Sequence, residues 1–337
     1  MTSKQRLAAI AIGQQPDKIP FLPTIIEHAA YLIGQTPSTV AQDASLMAEA
    51  HIKAYSRYCP DAVTIGVDIY NIEAEALGCM VRFYNDASIP GIISRPSGID
   101  HLANNIVFTK NLGRIQLLLD AAARVNDEVG DAVSVSIGIC GPFSVLIEIL
   151  GYDTAMEALL DGDNRIYLLL DALQEFQKEY SSQIAALGLG VTVFESWASP
   201  PLISPEIYRQ YALPYEQALF AHMKQLGLPA RPLIIGGDTR HIVDDILTTG
   251  TTLLVSDYNA PLPLYVEKAR EKGVTVRANI DPKLVQSGAW CKIAERIREI
   301  HAQAEIYPRL IAGTGVIPYD TPPEHLQHVK EMLYANI

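Results

Sequence analysis

Long apolar runs are missing from this chain of 337 residues, because no stretch approaches the roughly 20 apolar residues that a membrane span requires. The first residues, Met1 to Arg6, also lack the apolar segment and cleavage site of a signal peptide. Basic residues are outnumbered, with 26 Lys and Arg against 38 Asp and Glu, and the net charge is −12. A nucleic-acid partner would require a basic face. We therefore expect a cytoplasmic protein that binds neither a membrane nor nucleic acid.

Cysteine is scarce and scattered. The four cysteines form no CxxC pair, and they are Cys59, Cys79, Cys140 and Cys291. This pattern argues against a disulfide scaffold or a zinc ribbon, and we expect reduced thiols that pack like small hydrophobic groups. The sequence also contains no GxGxxG turn, no phosphate-binding P-loop and no HExxH zinc motif. None of these common cofactor sites is therefore indicated.

Short apolar strands alternate with helical patterns along the chain. The eight predicted strands lie at 18–25, 61–67, 133–139, 191–194, 233–235, 252–256, 274–278 and 310–312. A helix at 3–12 precedes them, and turn-forming residues between 78 and 96 predict a hairpin-like insertion after the second strand. Such an alternation predicts an α/β fold, a (β/α)8 TIM barrel formed by residues 1–337 as a single domain. An open doubly wound sheet would require a glycine-rich turn after the first strand, and residues 24–28 do not form one.

Polar residues follow most of the predicted strands, at the end of a barrel where catalytic groups lie. The candidates for acid or base chemistry are Glu195, Asp238, Asp257 and His241. The candidates for substrate binding are His28, Tyr70, Asn71, Trp197, Tyr258, Asn279 and Tyr319. Glu27 also belongs to this acidic mouth, and Arg240 and Arg277 are the cations expected nearest to it. Crowded carboxylates raise one another's pKa, which suits a general acid.

Several of these residues also fit simpler roles. Asp281 precedes Pro282 and is predicted to cap a helix rather than to catalyse. Asp238 fits a helix cap equally well, and Trp197 fits a place in the core. His241 is also consistent with an ordinary exposed side chain on a helix. Their position at strand ends therefore leaves both alternatives open.

A series of short motifs runs in a characteristic order along nearly the whole chain. They are Asp68 with Glu73-Ala-Glu-Ala-Leu-Gly78, Gly141-Pro-Phe143, Leu202-Ile-Ser-Pro-Glu-Ile-Tyr208 with Leu213-Pro-Tyr215, Gly237-Asp-Thr239, Asn279-Ile-Asp-Pro282, and Gly313-Thr-Gly315 with Asp320-Thr-Pro-Pro-Glu324. Their order and spacing resemble the uroporphyrinogen decarboxylase superfamily, and within it the cobalamin-dependent methyltransferase branch more than the decarboxylases. The resemblance implies a TIM barrel that acts on a corrinoid carried by a partner protein.

Two departures from the family narrow what the resemblance implies. Decarboxylases carry an arginine-rich segment near the N-terminus that binds porphyrin carboxylates, whereas residues 20–28 here contain no arginine. Thiol methyltransferases of the family hold zinc through a His-x-Cys pair after strand five and a cysteine after strand eight. The matching residues here are Ile234, Gly236 and Thr314. We therefore expect no zinc site of the usual nitrogen and sulfur ligands, and a site built from carboxylates and His241 stays an alternative.

Without thiol activation, the resemblance fits the half-reaction in which a small methyl donor methylates the Co(I) corrinoid of a separate protein. We expect an O-demethylase that uses a methoxylated aromatic, because an acidic mouth can protonate the departing phenolate. Tyr70, Trp197 and Tyr258 would enclose the ring. The alternatives are a methylamine or betaine donor, a decarboxylase-like enzyme and a non-catalytic barrel subunit. The eight units use the length of the chain, so the corrinoid is expected on a partner, and a homodimer stays open.

Overall fold

A computed structural model describes residues 1–96, 98–200 and 202–335. Its strands are β1 (Phe21–Thr24), β2 (Ala62–Ile65), β3 (Met80–Arg82), β4 (Gly91–Ser94), β5 (Ser134–Cys140), β6 (Gly190–Phe194), β7 (Leu233–Ile234), β8 (Leu253–Ser256), β9 (Thr275–Ile280) and β10 (Leu310–Val316). Its helices are α1 (Ser3–Ala11), α2 (Glu27–Tyr31), α3 (Pro37–Val40), α4 (Ala44–Tyr58), α5 (Ile69–Ala76), α6 (Ile99–Asn105), α7 (Ile115–Val129), α8 (Pro142–Leu150), α9 (Tyr152–Leu160), α10 (Arg165–Ala186), α11 (Pro205–Ile207), α12 (Leu213–Gln225), α13 (Val243–Ile246), α14 (Leu262–Lys272), α15 (Pro282–Ser287), α16 (Trp290–Ile306) and α17 (Pro323–Tyr334). A 3₁₀ turn covers Ser196–Ala198, and a π-helical turn covers Tyr208–Ala212. No helix within the described ranges is long and apolar enough to cross a membrane.

Eight parallel strands form the barrel in two hydrogen-bonded groups. One group has the order β1-β10-β9-β8 and the other the order β2-β5-β6-β7. A bridge between Pro232 and Leu253 joins β7 to β8. At the second seam the amide of Asp61 donates to the carbonyl of Phe21 at 2.9 Å, which connects β2 to β1. The predicted TIM barrel is therefore confirmed.

The two additions to the barrel are also those that the sequence predicts. Helix α1 precedes β1, and the side chain of Thr2 caps it by accepting from the amide of Gln5. Strands β3 and β4 pair antiparallel after α5, which makes the insertion a hairpin. Asn71 fastens this hairpin to α5, because its Nδ2 donates to the carbonyl of Pro90 at 2.6 Å.

The interior of the barrel changes from apolar to polar along its axis. Ile10 of α1 packs with Leu253, Val255 and Ile311, so α1 closes the amino-terminal end of the barrel. Because side chains alternate along a strand, Leu253 and Val255 share a face with Asp257. The interior rows therefore lead from this apolar plug to a polar mouth at the carboxyl ends of the strands.

Candidate active site

Asp257 is the centre of the polar cluster at the mouth. It follows β8 directly, and its Oδ2 accepts from the amide of Gly237 at 2.7 Å. Its Oδ1 accepts from the amide of Tyr258 at 3.0 Å and from Nδ2 of Asn279 on β9 at 3.2 Å. These bonds hold the ends of three neighbouring strands together. They also leave Oδ1 of Asn279 buried without a hydrogen-bond partner among the described residues.

Arg277 lies two residues before Asn279, so both point to the same side of β9. Its Nη2 donates to the carbonyl of Thr314 at 2.8 Å and to the hydroxyl of Thr24. Burial lowers the pKa of the Arg277 guanidinium to about 10, while the charge of Asp257 acts in the opposite direction. Gly313 is required beside it, because a β-carbon there would overlap Nε of Arg277.

Arg277 lines a small cavity of about 50 Å³, which lies between β1, β2, β6 and β9 and extends to Ala54 and Tyr55 of α4. Thr24, Thr192 and Phe194 line it as well. The hydroxyl of Ser136 lies 3.0 Å from that of Thr64 and 3.1 Å from that of Thr192, which forms a row of hydrogen bonds across β2, β5 and β6. The cavity therefore offers a cation, hydroxyls and the rings of Tyr55 and Phe194.

Among the predicted catalytic residues, only Asp257 belongs to this cluster. Asp238 forms an ion pair with Arg240, which lowers the pKa of Asp238. His241 is exposed in the turn before α13. Glu195 is fully buried, and its Oε1 accepts from the amide of Ser144 at 2.5 Å, at the start of α8. Its carboxyl group thus lies between the barrel and the outer helices.

The predicted substrate-binding residues fall into three groups. Tyr258 and Asn279 lie beside Asp257. Tyr70 bonds to the hydroxyl of Ser196, and Trp197 donates from Nε1 to Glu148 at 2.7 Å, so both rings are attached on the side of α5 and α8. In the third group, the polar atoms of the side chains bond to other parts of the chain and hold loops and helices in place. His28 bonds through both ring nitrogens, to the carbonyl of Tyr319 at 2.9 Å and the hydroxyl of Tyr58 at 2.8 Å. The hydroxyl of Tyr319 donates to the carbonyl of Gln35 at 3.0 Å, and Asn71 holds the hairpin.

Glu27 has properties that the sequence did not reveal. It begins α2, directly after Ile25 and Ile26, which line the cavity. Burial raises the pKa of its carboxyl group to about 7, and no other described side chain forms a hydrogen bond with it. Its place just after the first strand was readable from the sequence. Its burial follows only from the packing around it.

The three positions that match the zinc ligands of the thiol methyltransferases have other contacts here. Ile234 packs against the apolar plug at the bottom of the barrel. The carbonyl of Gly236 accepts from Ser199, and the hydroxyl of Thr314 donates to the carbonyl of Gly315 at 2.7 Å. Over residues 1–96, 98–200 and 202–335, no group of three His, Cys, Asp or Glu side chains is placed to hold a metal ion.

Known proteins of similar sequence have two kinds of activity, as coenzyme M methyltransferases and as uroporphyrinogen decarboxylases. Methylcobamide:CoM methyltransferase MtbA of Methanosarcina acetivorans is 25% identical over 343 residues, which cover 98% of this chain and 97% of that protein. The methylated-thiol–coenzyme M methyltransferase of Methanosarcina mazei is 23% identical over 97% of this chain and 88% of that protein. The uroporphyrinogen decarboxylase of Thermus thermophilus is 27% identical, but over only 53% of this chain and 51% of that protein.

The fold has a close counterpart among solved structures. A methyltransferase from Methanosarcina mazei superimposes with a TM-score of 0.85 over 99% of this chain and 98% of that chain, at 19% identity. The family model of uroporphyrinogen decarboxylase (URO-D) matches residues 2–335. The chain therefore belongs to the uroporphyrinogen decarboxylase family.

Proposed function

We propose that this chain is the methyltransferase component of a cytoplasmic, corrinoid-dependent O-demethylase. It would move the methyl group of a methoxylated aromatic to the Co(I) corrinoid of a partner protein. The observation that carries the proposal is the mouth itself, where Arg277, Asp257 and Asn279 converge beside a cavity with no reactive thiolate. The similarity of nearly the whole chain to methylcobamide:CoM methyltransferases supports it, because several uroporphyrinogen decarboxylases match only 45–62% of the chain.

The cysteines do not provide a methyl acceptor at the mouth. Cys140 ends β5, and burial together with neighbouring carboxyl groups raises the pKa of its thiol well above the usual value. Burial also raises the pKa of Cys79, to about 11. The thiolate is the form that attacks a methyl group, and neither thiol supplies it near neutral pH. Cys59 and Cys291 are exposed on the outer helices. An acceptor supplied by a partner fits this chemistry.

Protonation of the leaving group is the task of the chain's own residues. A Co(I) corrinoid, as the second substrate, supplies a strong nucleophile. The departing phenolate requires a proton at its oxygen as the carbon–oxygen bond breaks. Glu27 suits this role, because a carboxyl group with a pKa of about 7 is still protonated in a substantial fraction of the molecules at neutral pH. Phe194, which lines the cavity, and Tyr258, which lies beside Asp257, would contact the ring of the aromatic donor.

The decisive experiment follows the absorbance change from Co(I) to methyl-Co(III) under anaerobic conditions, with a reduced corrinoid protein and one donor at a time. The donors are guaiacol, veratrole, trimethylamine and glycine betaine. Turnover with a methoxyarene supports the proposal. Turnover with an amine alone would support a methyltransferase but would exclude the aryl ether as the methyl donor. No turnover with any donor, from folded protein, favours a decarboxylase-like or non-catalytic role.

Glu27→Gln tests the proposed acid. The wild-type rate should fall as the pH rises through about 7, because the protonated carboxyl group is the active form. The variant should lose about 100-fold in rate, in the range typical of general acid catalysis, and should lose this pH dependence. Glu49→Gln, on the exposed face of α4, is the matched control. An unchanged pH profile in the Glu27 variant would exclude the role.

A further inference from the structure

The side-chain amide of Asn279 is only half satisfied by the chain. Its Nδ2 donates to Oδ1 of Asp257 at 3.2 Å, and its Oδ1 is buried without a hydrogen-bond partner among the described residues. The orientation of the amide follows from this bond, because an ionised carboxylate accepts hydrogen bonds and donates none. The unpartnered atom of Asn279 is therefore an acceptor, and it requires a donor.

A complementary donor lies two residues earlier, on the same side of β9. Nε of Arg277 is also buried without a partner in the described part of the chain. Both atoms lie beside Gly313 of β10. Nε of Arg277 would be the nearest atom to a β-carbon at that position, and Oδ1 of Asn279 would lie 2.8 Å from it. A desolvated donor and a desolvated acceptor are therefore close to the same point.

The charges of Arg277 and Asp257 act on each other without a direct hydrogen bond between the described side chains. Arg277 donates from Nη2 to Thr24 and to the carbonyl of Thr314, and Asp257 accepts from two backbone amides and from Asn279. The charge of Asp257 nevertheless raises the pKa of the Arg277 guanidinium, in opposition to burial. Inside a protein, a connected chain of hydrogen bonds strengthens such an interaction. Asn279 occupies the place where this connection is incomplete.

We propose that Asn279 is a positioning residue that links Arg277 to Asp257. Its Oδ1 accepts a hydrogen bond from Nε of Arg277, directly or through one water molecule, while its Nδ2 donates to Asp257. The link holds the carboxylate of Asp257 in one orientation at the mouth. The inference rests on the proposed function only for its consequence in methyl transfer, because the link itself requires no corrinoid.

The test is a double-mutant cycle on the full chain, with the urea midpoint of unfolding as the readout. Arg277→Met and Asp257→Asn should shift the midpoint non-additively, because both changes break the same network. In the Asn279→Leu background the two shifts should become additive. Asp120→Asn, on the exposed face of α7, should be additive with Arg277→Met in either background. Arg277→Lys, which keeps the charge and removes the guanidinium group, takes the place of Arg277→Met if that variant does not fold.

A crystal structure of the wild type, at a resolution that shows ordered water, decides the geometry independently of the variants. We expect Nε of Arg277 and Oδ1 of Asn279 to share a hydrogen bond or to contact the same water molecule. Separate partners for the two atoms, or no partner for either, would overturn the proposal. Additive midpoints in the wild-type background, or non-additivity that persists in Asn279→Leu, would also overturn it.

Methyl transfer measures the consequence of the link at the mouth. Asn279→Leu should lower the rate of corrinoid methylation at least about tenfold, and adding Asp257→Asn should cause little further loss, since residues that act as a unit are not additive. Independent losses would reject the positioning role. Non-additive unfolding without methylation from any donor would keep the link and reject the reaction. An unchanged methylation rate in Asn279→Leu, together with additive unfolding, would reject the link and keep the reaction.

Discussion

Acidic side chains occur in two regions that differ in how their oxygens are satisfied. Three glutamates, here called the rear carboxyl cluster, lie behind β5 and β6: Glu73, Glu195 and Glu216. Each has one bonded oxygen and one buried oxygen without a partner among the described residues. At the mouth, both oxygens of Asp257 accept hydrogen bonds. An acid at the rear is therefore placed to hold a proton, whereas Asp257 is placed to accept hydrogen bonds and to face a cation.

The pKa shifts reflect the same contrast. Burial raises the pKa of both Glu73 and Glu195 to about 7. Burial and the neighbouring Glu195 raise the pKa of Glu216 well above its usual value, although the hydroxyl of Tyr208 donates to it at 2.6 Å. A raised pKa behind the barrel thus indicates desolvation and not catalysis. Burial also raises the pKa of Glu27, and what distinguishes this residue is its place in the chain, at the start of α2 directly after Ile25 and Ile26 of the cavity lining.

The largest effect is expected where the rear cluster has no space. In Gly141→Ala the new β-carbon would overlap Oε2 of the buried Glu195, so either the start of α8 or Glu195 must move. We expect a loss of about 3 kcal/mol in the free energy of unfolding, measured by urea denaturation. Gly236→Ala is the matched change at the mouth, where the nearest atom is Oδ2 of Asp257 at 3.7 Å. Gly236→Ala should lower the free energy of unfolding by less than about 1 kcal/mol. Equal losses for the two variants would mean that the rear of the barrel is packed no more tightly than the mouth.

The next effect concerns pH. The pKa of Glu73 and that of Glu195 are raised in the folded protein, so their contribution to stability is complete below about pH 4.5 and is lost as the pH rises through 7. Between pH 5 and pH 7.5 the free energy of unfolding of Glu195→Gln should therefore fall less than that of the wild type, by a difference on the order of 2 kcal/mol. Urea denaturation at the two pH values measures it. A slope identical to that of the wild type would mean that Glu195 is ionised in the folded protein.

Asp257→Asn is expected to affect the reaction more than the stability. Gly237 and Tyr258 donate to different oxygens of Asp257, so the amide keeps only one of these two bonds, and the free energy of unfolding should fall by about 1 kcal/mol. The rate of corrinoid methylation should fall at least about tenfold, because the variant removes the carboxylate that faces Arg277. Asp120→Asn, on the exposed face of α7, serves as the control. A rate equal to that of the wild type would exclude Asp257 from the site.

The smallest effect is expected in the hydroxyl row. Thr192→Val keeps the shape of the side chain and removes one hydrogen bond, and the hydroxyl of Ser136 retains that of Thr64 at 3.0 Å. We expect a loss of about 0.5–1 kcal/mol in the free energy of unfolding, by the same urea assay. A loss as large as that of Gly141→Ala would mean that the interior is as tightly constrained as the rear of the barrel.

Local patterns predicted the elements and some of their ends. The strand and helix order, α1 and the hairpin all follow from apolar spacing and turn residues, and Asp281 caps α15 as predicted, accepting from the amide of Lys283 at 2.8 Å. The two faces of β6 were less readable. Thr192 and Phe194 face the cavity, so alternation directs Glu195 to the opposite side, toward α8. A residue at the end of a strand is not for that reason at the mouth.

The sequence by itself determined the eight repeated units, the acidic balance and the residues at the strand ends, because these depend on local spacing and composition. Only the tertiary structure decided which polar groups meet. Asp257 and Asn279 lie 22 residues apart and become neighbours through the pairing of β8 with β9, and Thr24 reaches Arg277 across 253 residues through closure of the barrel. Desolvation decided the rest, since the pKa of Glu27 depends on what packs around the carboxyl group and not on its neighbours in the chain.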